Sequence, residues 1–271
     1  MQIDIGVTVH NRPQSTKVFF DSILNCLNSD YRLFIFDDAS DQESQDLIED
    51  YCKKYPHFIN LRSDKNIGNV FAKRTLLETM ESKYIVQTDN DIILSKHSPD
   101  ILQKQTAILD KYPDVTCVVP RMPDVDVGPP RKIVLDQGKE VYPGLWWIRM
   151  YGAVFQMQKR ENLIKVGAYI LPTRNKWDSY EQTLAKKLRG KSMRFKYVLM
   201  KDVWVQLQDT NCNCGYEEED PHGIGTSLYS KFLYRCVTSD PTTLEPLWHK
   251  EKATNWWRNP KYYKFQGGKS V

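Results

Sequence analysis

The chain has 271 residues, 41% of them hydrophobic, and a formal net charge of +4. That length permits one large domain or two modest ones around a real core, and so mild a charge does not by itself call for a nucleic-acid partner. No run of about 18 apolar residues is present to cross a bilayer, and Met1-Gln-Ile-Asp-Ile-Gly6 does not read as an export signal, so a soluble, cytoplasmic protein is expected.

Ile3 to His10 alternates apolar residues in strand fashion, and Asn11-Arg12-Pro13 stops it with turn formers, leaving Thr8, His10 and Arg12 at or beyond the strand end. Val18, Phe19, Ile23, Leu24 and Leu27 then recur at helical spacing over 14–28, and Tyr31 to Phe36 is a second strand. Strand, helix, strand predicts a right-handed parallel crossover. The second strand runs into Asp37-Asp38-Ala-Ser-Asp41, before a helix over 42–55 in which Asp38 or Ser40 is the expected cap. A short strand at 58–61 leads through Asn66-Ile-Gly68 into a helix from about residue 70 to 81, with Lys73 and Arg74 on it.

The next stretch, Lys83 to Leu94, is an apolar, β-branched strand that ends abruptly in Asp89 and Asp91. Two carboxylates spaced i, i+2 past a central strand lie where open α/β sheets bind ligands. Their hard oxygens suit Mg²⁺ or Mn²⁺ carrying a diphosphate.

A helix over 97–111 and a strand at 115–119, stopped by Pro120, follow. Residues 120–145 hold five prolines (Pro120, Pro123, Pro129, Pro130, Pro143) and three glycines, a composition for an irregular excursion or a hairpin. Strand returns from Trp146 to Tyr151 and from Gly152 to Met157, with a short helix at 160–166. Trp146, Trp147 and Tyr151 offer aromatic faces that stack on a sugar or a base. Trp177 to Gly190 reads as a helix with Asp178 and Glu181 in its first turn, and two strands near 194–199 and 203–207 complete the sheet.

The six cysteines are too sparse for a disulfide scaffold, so reduced thiols are expected; Cys212, Cys214, Cys236 and His222 lack the paired spacing of a zinc site. From His249 to Phe265 cations alternate with aromatics, as in Trp256-Trp-Arg258 and Lys261-Tyr-Tyr-Lys264. That pattern suits DNA or an anionic surface, and equally a tail packed on its own domain.

Taken together, the strand ending at Thr8 with Arg12 beyond it, Asp37-Asp38-Ala-Ser-Asp41, Asn66-Ile-Gly68 with Lys73-Arg74, and Asp89-Asn-Asp91 resemble the nucleotide-sugar half of a GT-A fold, family 2-like glycosyltransferase. The resemblance covers roughly residues 3–200. It implies an α/β, mainly parallel sheet flanked by helices, an aromatic and basic C-terminal extension over 211–271, and a domain over 1–210 divided into a nucleotide-sugar half (1–119) and an acceptor half (120–210).

The resemblance also implies an inverting transferase that moves a sugar from a nucleotide diphosphate sugar, UDP-sugar before GDP-sugar, to a hydroxyl of a glycan or glycolipid. Thr8, Arg12, Asp38, Asn66, Gly68, Arg74, Asp89 and Asp91 would hold the donor. Asp91 and Asp89, with His222 as a third candidate, would hold Mn²⁺ or Mg²⁺. Glu181, or Asp178 one turn away, would be the base. The chain departs from the family pattern in placing Tyr180-Glu181 where Glu-Asp is usual, and Leu207 after Val205-Gln206 where a metal-binding His is usual. Transfer to a hydroxymethylated DNA base through the tail and a nucleotidyltransferase reading are the alternatives; the latter is disfavoured because His10-Asn-Arg-Pro13 contains no glycine.

Overall fold

A computed structural model describes residues 2–94, 98–121, 139–148, 155–165 and 196–207. In chain order these form β1 (Ile3–Val9), α1 (Pro13–Cys26), β2 (Tyr31–Asp38), α2 (Gln42–Lys54), β3 (Phe58–Ser63), α3 (Asn69–Thr79), β4 (Tyr84–Asp89), β5 (Ile92–Leu94), α4 (Ile101–Lys111), β6 (Val115–Arg121), β7 (Lys139–Tyr142), β8 (Leu145–Ile148), β9 (Gln156–Lys159), α5 (Arg160–Lys165) and β10 (Lys196–Leu207). One sheet takes the order β3-β2-β1-β4-β9-β6-β10-β8-β7, with β5 attached to β10. The strands of its first half, β3 to β4, are all parallel, whereas β9 runs antiparallel to both β4 and β6.

The order explains where a ligand would go. From β1 the chain steps outward to β2 and β3, then returns past both to lay β4 on the other side of β1. Right-handed crossovers in opposite directions put their helices on opposite faces of the sheet, so α3 lies on one face and α1 and α2 on the other. Gly6 shows how close α3 comes, since a Cβ there would stand 3.0 Å from Met80 Cε and 3.1 Å from its sulfur. Where the order reverses, the helices diverge and leave a crevice at the C-terminal strand ends between β1 and β4.

Local chemistry fixes the element ends. Pro13 begins α1, where its fixed φ suits the first turn and its missing N–H costs nothing. The cap of α2 is Asp41, whose carboxylate accepts from Ser44 N at 2.9 Å, rather than Asp38 or Ser40. Asp37 and Asp38 are the last two residues of β2 itself. The core is built from β1, β2 and β4 with Phe19, Phe20, Ile23, Leu76 and Met80 of the covering helices, all fully buried. Each such side chain contributes roughly 1.5–3 kcal/mol when taken out of water.

Three expectations are corrected. Pro120 does not end its strand but pairs with Met200 inside β6; β9 bonds β6 only at Cys117 and Val118, so no partner on that side needs the missing N–H. The two strands expected near 194–199 and 203–207 are one, β10, with a register shift between Met200 and Trp204. The strand expected to begin at Gly152 is β9, starting at Gln156. The hairpin of β7 and β8 turns at Pro143-Gly144.

Candidate active site

The site is the C-terminal edge of β2, β1 and β4. Thr8 pairs with Asp89 in the parallel ladder, so the end of β1 and the Asp-x-Asp turn are side by side. Just past β1 the backbone takes a tight course: Asn11 and Arg12 have φ of 57° and 62°, and Ala39, beyond β2, has 57°. Non-glycine residues in this left-handed region cost of order 1 kcal/mol or more, and three of them stand at neighbouring strand tips.

Hydrogen bonds hold these tips. Asn11 N donates to Ser40 Oγ at 2.9 Å, and Asp41 N donates to Asn11 Oδ1 at 2.8 Å. His10 Nδ1 donates to the Asp38 carbonyl at 2.8 Å, which leaves Nε2 to accept from Asn66 Nδ2 at 3.2 Å. Asp38 itself is 4% exposed and accepts from Ile67 N at 2.7 Å and Gly68 N at 2.9 Å, one bond to each oxygen. Gly68 makes this possible with φ of 85°, which a side chain would strain. Asp38 therefore fastens the loop carrying Asn66 to the end of β2, with one backbone donor on each of its oxygens.

The Asp-x-Asp turn is held by cations. Lys73 Nζ lies 3.1 Å from Asp89 Oδ1, and Arg12 Nη1 lies 3.7 Å from Asp91 Oδ2. Between them Asn90 turns inward and donates to Thr16 Oγ1 of α1 at 2.9 Å. Thr8 Oγ1 donates to Asn69 Oδ1 at the start of α3, at 3.2 Å.

Lys73 is only 1% exposed, a buried residue rather than part of a solvated helical face. Its neighbour Arg74 instead bonds Glu78 of its own helix at 2.8 Å. The helix period could have told them apart. Lys73 falls on the stripe of Ala72, Leu76, Leu77 and Met80, all buried, whereas Arg74 and Glu78 are an i, i+4 pair on the other side.

Among the described residues no three of His, Cys, Asp and Glu gather to hold a metal. The donor set still fits one kind of ion. Two carboxylates at an open strand end suit a hard cation that takes its remaining oxygens from water and a diphosphate, which is how Mg²⁺ is usually bound. At the register position beside Asp91, residue 207 of β10 pairs with Ile92 and is Leu where the family pattern has His.

Of the other expected site residues, Trp146 and Trp147 lie on β8, four strand positions from β4 and so roughly 19 Å along the sheet. Tyr151, Asp178, Glu181 and His222 lie outside the described residues, as do Cys212, Cys214 and the tail from His249 to Phe265. Cys26 and Cys117 are buried, and burial, with Glu49 nearby, pushes the Cys52 thiol up to about 11.

A mainly parallel sheet whose order reverses beside its first strand, with Asp-x-Asp at the reversal, is the GT-A arrangement of a glycosyltransferase. The sequence agrees: Glycosyl transferase family 2 matches residues 4–174, and the chain belongs to that family.

Solved structures share the fold. The mannosyltransferase PcManGT from Pyrobaculum calidifontis, in complex with GDP-Man and Mn²⁺, aligns with a TM-score of 0.62 at 17% identity, over 79% of this chain and 59% of its own. S. aureus TarS 1–349 in complex with UDP-GlcNAc gives 0.57 at 14%, over 77% and 58%. GalNAc-T7 with UDP, GalNAc and Mn²⁺ gives 0.57 at 11%, over 77% and 44%. The chain thus spans about three fifths or less of these proteins. No curated protein sequence matches it. Among the described residues no helix is long and apolar enough to cross a membrane.

Proposed function

We propose that the chain transfers a sugar from a nucleotide diphosphate sugar, with a UDP-sugar first to be assayed and a GDP-sugar second, to a hydroxyl of a glycan or glycolipid in the cytoplasm. The observation that carries this reading is the edge where Asp89 and Asp91, each beside its own cation, stand next to Thr8 and the Asp38-bound loop. The crevice between β1 and β4 is open to a diphosphate, with Lys73 and Arg12 on hand for its charge.

In this reading the base and ribose lie against the tips of β1 and β2 and the Asn66–Gly68 loop, which Asp38 keeps in place. Asp91 and Asp89 would hold Mg²⁺ or Mn²⁺, which neutralises the departing diphosphate as a Lewis acid. Glu181, or Asp178, would take the proton from the acceptor hydroxyl as it attacks the anomeric carbon, so the configuration inverts. The nucleotide-sugar half (1–119) and acceptor half (120–210) follow from this division of labour.

The test is calorimetry of UDP and GDP with the full chain, with and without Mn²⁺. Nucleoside diphosphate binding strengthened by Mn²⁺ and lost in Asp91→Asn is the expected result. Binding indifferent to both the metal and Asp91 would remove the reading.

A further inference from the structure

At the Asp89–Asp91 turn each carboxylate faces a cation. Asp89 has the buried ammonium of Lys73 at 3.1 Å, and Asp91 has the guanidinium of Arg12 at 3.7 Å. The two pairs are not equivalent. Lys73 is buried on the inner stripe of α3 and is fixed by packing. Arg12 lies just past the end of β1, on backbone at φ 62°, with 19% of its side chain exposed. A separation of 3.7 Å is an ion pair without the close bidentate geometry that makes a carboxylate–guanidinium contact hard to undo.

We propose that Arg12 is a built-in stand-in for the divalent cation. It neutralises Asp91 when no metal is bound and is displaced from it when the metal arrives with the diphosphate, to which it then turns. The inference rests on the reading that the metal binds at Asp91. Electrostatics supplies the reason. A divalent ion entering alone would add two positive charges beside Lys73 and Arg12, and a diphosphate entering alone would add two negative charges beside Asp89 and Asp91. The metal and a dianionic donor entering together leave the net charge of the turn unchanged. Low local dielectric makes the single-ligand states costly, so each ligand raises the other's affinity, and by the same factor. Arg12 is thus a positioning residue that couples the two ligands and keeps the metal from binding ahead of the donor.

The test measures Mn²⁺ binding to the full chain without nucleotide, by calorimetry or by the electron paramagnetic resonance of free Mn²⁺, in wild type, Arg12→Gln, Arg12→Gly, Arg12→Lys and Asp91→Asn. Removing the competing charge should tighten Mn²⁺ about tenfold in Arg12→Gln and Arg12→Gly, while Arg12→Lys stays near wild type. Arg12→Gly also suits the left-handed backbone, so it guards against a folding defect in the Gln variant. UDP measured at saturating and zero Mn²⁺ should lose about tenfold of its metal enhancement in both neutral variants. If Arg12→Gln and Arg12→Gly bind Mn²⁺ no tighter than wild type, Arg12 is not a competitor and the inference is overturned. Should Asp91→Asn bind Mn²⁺ as wild type does, the metal is not at Asp91, and the underlying reading falls for a reason visibly different from the first.

Discussion

A carboxylate meets a guanidinium at each end of β1, and the two meetings are built differently. At the N-terminal end Asp4 is fully buried and takes a bidentate contact from Arg32, Nε at 2.8 Å and Nη2 at 3.0 Å, with Glu81 N and Ser82 N each donating at 2.8 Å. Burial raises the Asp4 pKa, but Arg32 and the two backbone donors outweigh it and leave the carboxyl below its ordinary 3.8. At the C-terminal end Arg12 approaches Asp91 no closer than 3.7 Å. A carboxylate that takes four hydrogen bonds from the chain is a brace. One whose guanidinium stands 3.7 Å away makes a weaker ion pair, and the difference sets the two ends of the strand apart.

Substitutions should show this contrast in order of size. Asp91→Asn should lower sugar transfer by about 10²–10³-fold while hardly moving the melting temperature, because several kcal/mol of leaving-group stabilisation are lost from a site that contributes little to folding. Glu181→Gln should cost about 10²-fold in turnover with donor affinity kept, read from kcat against calorimetric Kd; the same loss in Asp178→Asn, with Glu181→Gln active, would exchange their roles.

At the other end the outcome is reversed. Asp4→Ala strands Arg32 and two backbone N–H groups, so urea unfolding should show about 3 kcal/mol less stability, with kcat of the folded fraction unchanged. The acid sensitivity follows from the sign of the shift. With its folded pKa below 3.8, Asp4 contributes stability that is fully present above that value and lost as pH falls through the folded pKa. Melting temperature against pH should therefore be flatter below pH about 4 in Asp4→Asn than in wild type, and a parallel fall in both would show that other groups govern acid unfolding. The smallest effect belongs to the strained tip: Ala39→Gly at φ 57° should stabilise by about 0.5–1 kcal/mol, the left-handed strain relieved less the entropy glycine adds to the unfolded chain.

Local pattern made much of this legible beforehand. The strands at β1, β2 and β4 and the helices between them follow from period-2 and period-3.6 apolar spacing, which is a property of short segments. The acids at the ends of β2 and β4 stood out because charge that interrupts a buried strand needs a reason. Lys73 was within reach of the same arithmetic, since its stripe is written in Ala72, Leu76, Leu77 and Met80. Pro120 was misjudged because its tolerance depends on which neighbour lacks a bond to it, a matter of pairing rather than of residue type.

By itself, then, the sequence determined the alternation of strands and helices, the places where acids interrupt them, and through those motifs the family. Only the tertiary structure decided the strand order, and with it that β1 lies between β2 and β4, so that acids far apart in the chain share one edge. It also decided which cation faces which carboxylate, Lys73 to Asp89 and Arg12 to Asp91, and that Asp38 spends both oxygens on the loop at Ile67 and Gly68. The physical reason is range: periodicity is set by neighbours three or four residues away, whereas ion pairs and sheet order join residues 16 to 79 positions apart, and nothing local encodes their partners.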